Sequence, residues 1–156
     1  MEKIYIERRM WVRGAILGRL VWDGEKVCDT LERMDGCLPK GTYELKFAKC
    51  GKHKRLMPFL CSDTITRFSA PEPSVCKRCA EERKKHCFGD TRQLHKIPCG
   101  MMQPGNGALN LRYGGIIIGE GHEPGYVTHS QELFLLLFGR LKKNMQRGKR
   151  LWVEIR

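Results

Sequence analysis

Apolar and polar residues alternate in short runs at both ends of this chain, and that period-two pattern restricts it to a strand-built core. In residues 3–8, Ile4 and Ile6 stand opposite Tyr5 and Glu7, as in a strand with one face buried. Residues 15–22 form a second run and residues 25–31 a third. Asp23-Gly24 lies between them, and an Asp-Gly pair joining two such runs is a strong hairpin signal. Pro39-Lys40-Gly41 marks a further turn before Thr42–Ala48, where Tyr43, Leu45 and Phe47 alternate with Thr42, Glu44 and Lys46. Near the other end, Gly114–Gly119 reads as a short buried strand between glycine turns. Residues 151–156 close the chain as a strand with Leu151, Val153 and Ile155 on one face.

One helix is expected among these strands. Thr128 with Gln131 three residues on matches a capping box. Leu133, Leu136, Leu137 and Leu141 then recur at helical spacing, and basic residues gather in the last turns, where they complement the helix dipole. Gly148 suits the C-terminal stop. The expected class is mainly β (α+β): one small β-sandwich or barrel-like domain over residues 1–156, with a C-terminal helix and a cysteine-rich, zinc-binding insert.

The insert occupies residues 61–99. There periodicity vanishes, Pro71 and Pro73 fall close together and charge rises. Such a segment buries too little apolar surface to fold by packing alone, and a metal supplies what packing lacks. Cys76-Lys-Arg-Cys79 is a Cys-x2-Cys knuckle, whose spacing lets two thiolates grip one Zn²⁺. A continuous helix from Cys79 to Cys87 would separate those two sulfurs by roughly 12 Å, so either it ends early or other ligands take part. Cys76, Cys79, Cys87 and Cys99 are the expected ligand set, with Cys61 and His86 in reserve. Four thiolates leave no open coordination position, so the site would be structural. The alternative is free thiols in a loop. Cys28 lies in an apolar strand pattern and reads as a core residue.

Net charge is +12, from 29 lysines and arginines against 17 acids, which favours polyanionic partners. The excess sits in residues 77–96 and 140–150. Within the first stretch Lys77, Arg78, Lys84 and Lys85 are candidates for anion binding, nucleic acid included; the bland reading is a solvated surface. No run of 18 apolar residues exists, so no helix spans a membrane. The charged N-terminus does not read as a secretory signal, and the expected location is the cytoplasm, where clustered cysteines more often hold metal than form disulfides.

The chain carries no phosphate-loop, zinc-protease, nucleophile-elbow or dinucleotide motif. His122 and His129, with Glu120 and Glu123, offer acid–base chemistry near glycine-rich turns, but such loops collect these residues by chance. Several landmarks recur in order: Gly18-Arg-Leu, Cys28-Asp-Thr-Leu-Glu32, Leu38-Pro-Lys-Gly-Thr-Tyr-Glu44, Pro104-Gly-Asn106, Gly114-Gly-Ile-Ile-Ile-Gly119 and Leu151-Trp-Val-Glu-Ile155. Together they resemble a family of small uncharacterised domains from phages and gut bacteria, whose core is similar to L,D-transpeptidase domains. The resemblance covers residues 3–60 and 100–156. It implies a histidine where this chain has Gln103 and a cysteine where it has Gly115. A thiolate nucleophile needs both, so Gln103, Asn106 and Gly115 mark a degenerate site.

These features favour a non-catalytic binding or structural module over an enzyme, and the resemblance suggests a phage or mobile-element origin. The alternatives are a cysteine enzyme acting on cell-wall peptides, with Cys99 as a relocated thiol, and a nucleic-acid-binding protein acting through the insert.

Overall fold

The computed structural model describes residues 3–50, 55–62, 99–108, 111, 114–122 and 125–156. Its strands are β1 (Ile4–Val12), β2 (Ala15–Trp22), β3 (Glu25–Arg33), β4 (Gly41–Cys50), β5 (Arg55–Cys61), β6 (Cys99–Gln103), β7 (Ile116–His122), β8 (Tyr126–Thr128) and β9 (Trp152–Ile155). Among the described residues, helix α1 (Ser130–Gln146) precedes β9.

The first three strands follow directly from turn chemistry. Arg13-Gly14 and Asp23-Gly24 both place two successive residues at positive φ, the type I′ geometry whose twist matches that of a hairpin. The sheet order is β3-β2-β1-β9-β4-β5-β6-β7-β8, and β3 pairs again with β7. The sheet therefore closes on itself as a ring of eight strands, with β8 attached outside it. Closure removes the unpaired edges that an open sheet would expose. The mainly β expectation holds, and of its two forms the barrel is the one adopted.

Two apolar clusters follow from the alternation. Ile4, Ile6, Leu20, Trp22, Tyr43, Leu45, Val153 and Ile155 belong to the larger one. The smaller one packs Ala108, Leu111 and Val127 against Leu31 and Ile117, the alternate faces of β3 and β7. Helix α1 contributes Phe134, Leu137 and Leu141 to the main cluster, and Phe138 meets Phe47 at 5.2 Å between ring centroids.

Two expectations for the helix need correction. Thr128 is not its cap. The N-cap is His129, held at φ 52°, with no side-chain cap bond; the Thr128 hydroxyl is engaged with His122 Nε2 at 2.8 Å instead. Leu136 is not on the buried stripe and is 71% exposed. Burial falls on Ser130, Phe134, Leu137 and Leu141, a four-three-four spacing that follows one face. The stop is as expected: Gly148 takes φ 80° and donates to the Met145 carbonyl at 3.0 Å.

Strand β5 was not expected, and it pairs with β4 along its whole length. Residues 63–98, which hold Cys76, Cys79, Cys87, His86 and the basic residues Lys77, Arg78, Lys84 and Lys85, lie outside the described residues.

Candidate functional site

The landmark residues of the N-terminal half converge on a buried knot. Gly18 on β2 pairs with Arg8 on β1 and with Thr30 on β3. A Cβ at Gly18 would stand 2.6 Å from the Glu7 carbonyl oxygen and 2.9 Å from Thr30 Oγ1, so only glycine fits. Arg8 donates from Nε and Nη2 to both Glu32 carboxylate oxygens, at 3.0 and 2.8 Å, and from Nη2 to the Leu38 carbonyl at 2.6 Å. Only 6% of the Arg8 side chain and 1% of Glu32 is exposed. Burial disfavours the Arg8 charge, but the hydrogen bond and attraction of Glu32 outweigh it and raise its pKa. Both carboxylate oxygens of Glu32 are thus engaged inside the protein. This knot staples β1, β3 and the turn leading to β4; it presents nothing to a substrate.

Gln103 ends β6 and Gly115 stands just before β7. Those strands are parallel, with Gln103 opposite Ile117, so the two positions lie on neighbouring strands, two residues out of register. Gly115 is buried and Asn106 exposed. The Asn106 backbone carbonyl accepts from Val127 N at 2.9 Å. Ser130 pins the segment: its hydroxyl accepts from Gly105 N at 2.9 Å and donates to the Ile118 carbonyl at 2.5 Å. Gln103 and Gly115 thus lie near each other at the start of β7, whereas Asn106 sits beside Val127, which pairs with Gly121 toward the other end of that strand. The three positions do not converge, and their chemistry is an amide, an amide and a bare backbone.

Cys28 and Cys37 are not activated. Burial pushes Cys28 up to about 12. Burial also raises Cys37, against the opposing pull of Arg8 and with help from Glu32. A cysteine nucleophile needs the reverse. Cys61 and Cys99 are opposite partners in the β5–β6 ladder, so the chain leaves for residues 63–98 and returns from them one strand spacing apart, about 4.8 Å.

A polar chain runs across the β7–β8 hairpin. Glu120 Oε2 lies 3.2 Å from His129 Nδ1, which is 3.3 Å from Thr128 Oγ1, which in turn meets His122 Nε2. The His122 ring stacks on Tyr126 at 5.3 Å. Glu120 and His129 are both more than half exposed, so water competes for their link at the surface, whereas the His122–Thr128 link is part-buried.

A concave feature lies elsewhere, on the outer face of β1, β9 and β4. Ile4, Val153 and Tyr43 share a row and point into the core, which turns Tyr5, Glu154 and Thr42 outward as the next row. Together with Lys3, Lys149, Arg150, Trp152 and Arg156 they line a groove of about 740 Å³. Four of these side chains are cations and one, Glu154, is an acid. Trp152 is 46% exposed. Arg156 lies over the Tyr5 ring at 3.8 Å and Arg150 over Trp152 at 5.3 Å. Arg150 also makes a two-pronged pair with Glu44 at 3.0 Å, and Arg156 Nε meets Glu154 at 2.6 Å. The basic stretch 140–150 pointed toward part of this groove. Lys3, Tyr5, Trp152 and Arg156 were missed, because only the parallel pairing of the first and last strands brings them together.

No known protein family, curated protein or solved structure matches the chain. Among the described residues, no helix is long and apolar enough to cross a membrane, and no three metal-binding side chains group together.

Proposed function

We propose that this chain is a non-catalytic module that binds an anionic polymer. The groove on β1, β9 and β4 is the observation that carries this reading. Exposed ion pairs such as Arg150–Glu44 and Arg156–Glu154 contribute little to stability, so their guanidiniums are available to exchange a carboxylate for a ligand's anionic group. Arginine's planar fork suits phosphate and sulfate. The degenerate relation to L,D-transpeptidase-like domains fits the same reading, since amide and glycine stand at Gln103 and Gly115. The raised thiols of Cys28 and Cys37 weigh against a cysteine enzyme.

The zinc-stapled insert belongs to this proposal, with Cys76, Cys79, Cys87 and Cys99 as ligands in a reducing, cytoplasmic setting. The Cys-x2-Cys spacing supports it, as does the cross-strand placement of Cys61 and Cys99, which holds the ends of the segment together. Elemental analysis of the wild type and of Cys76→Ser tests it: one zinc per chain that drops in the variant is expected, and a folded, zinc-free wild type refutes it.

For the groove, the test is binding of inorganic polyphosphate by calorimetry at low salt. Lys3→Glu with Arg150→Glu places like charges against the ligand and is expected to weaken binding by more than about tenfold. Unchanged binding would place the anion site elsewhere.

A further inference from the structure

The groove combines cations with flat rings, and a plain polyanion has no use for the rings. Trp152 and Tyr5 stand on adjacent strands. Tyr5 is opposite Glu154, two residues beyond Trp152, so strand geometry separates their Cα positions by about 8 Å, with both side chains on the same face. Both rings carry arginine guanidiniums over their faces. A base can layer on the outer plane of such a guanidinium or take its place on the ring.

We infer that this groove binds single-stranded nucleic acid, with bases stacked at Trp152 and Tyr5 and phosphates held by Lys3, Lys149, Arg150 and Arg156. The inference rests on the anionic-polymer reading and narrows it. Base–aromatic stacking tolerates any sequence because every base has a π face. A duplex keeps those faces stacked inside and offers Trp152 nothing. An anionic bilayer is flat, whereas the groove residues, Thr42 and Glu154 among them, line a concave surface. The cations named here are not those of residues 63–98, where the sequence alone had suggested basic contacts.

Fluorescence anisotropy with labelled twelve-residue oligothymidylate and oligoadenylate tests this on the full chain, in parallel with polyphosphate of matched charge, polyglutamate, a duplex and anionic vesicles. Binding of both oligonucleotides is expected. Losing one stacked base at Trp152→Ala should weaken them roughly 5- to 150-fold, while Trp152→Phe keeps most of the affinity and reports that the barrel is intact. If all four cations meet phosphate, each contributes about −0.7 to the log–log salt slope, giving a slope near −3 and a roughly 50-fold loss between 50 and 200 mM salt. Polyphosphate binding should be weaker and indifferent to Trp152→Ala. Equal binding of oligonucleotide and polyphosphate with no effect at Trp152 would overturn the inference and leave the anionic reading standing. Tighter binding to duplex, polyglutamate or vesicles would also overturn it. Failure to bind any polyanion at low salt would remove both.

Discussion

Replacing Glu32 with glutamine should destabilise this protein more than almost any other single polar change. The substitution keeps the shape but removes the charge that neutralises Arg8. Arg8 is then left as a cation with 6% of its side chain exposed. Breaking one half of a buried pair typically costs about 3–5 kcal/mol. For a chain of 156 residues, each kcal/mol moves the melting temperature by about 2–4 °C, so the expected fall is roughly 6–20 °C. Urea unfolding followed by circular dichroism measures the energy, and a thermal scan measures the shift. The double variant Arg8→Met with Glu32→Leu isolates the cause: two apolar side chains remove both charges together, so it should recover most of the loss. A cost below about 1 kcal/mol for Glu32→Gln, or a double variant no better than the single, would refute the claim that an uncompensated charge drives the effect.

Other outcomes follow from the same structure. Gly18→Ala should cost on the order of 1–3 kcal/mol, because its methyl would meet the Glu7 carbonyl and Thr30 Oγ1; urea midpoints check this. Phe134→Ala empties a site that is 1% exposed and should cost about 3–5 kcal/mol, read by the same assay. The Cys28 thiol titrates near 12 in the folded chain against an ordinary 9.0. Its folded pKa is raised, so its contribution is fully present below pH 9 and is lost as pH rises toward 12, at up to about 1.4 kcal/mol per pH unit. Urea unfolding of the wild type and Cys28→Ala between pH 8 and 11 should show the wild type falling more steeply; parallel curves would refute it.

The strands that alternate cleanly were legible because a half-buried strand is the element that puts apolar residues at every second position, and the Asp23-Gly24 turn carried its own geometry. Strand β5 was not. Its run from Leu56 to Cys61 is nearly all apolar and contains Pro58, which argues against a strand interior. Among the described residues, β6 pairs with Phe59–Cys61 and not with Pro58, so on that side no described ladder needs the missing N–H. The helix start was misplaced because Thr128 and Gln131 satisfied a capping pattern while the Thr128 hydroxyl had a tertiary partner in His122. That competition is invisible to local sequence. Glu32 could be quoted as a landmark, but its burial beside Arg8 depends on three strands meeting over Gly18. The groove was the least legible feature, since its two rings lie far apart in the chain and share a surface only when β1 and β9 pair.

A map of the binding surface tests the anion-binding groove most directly. Amide chemical shifts recorded during titration with inorganic polyphosphate should move at Tyr5, Thr42 and residues 149–156, with Gly115 and Glu32 unmoved. Shifts confined to the β6–β7 end around Gln103, or no shifts at low salt, would contradict it.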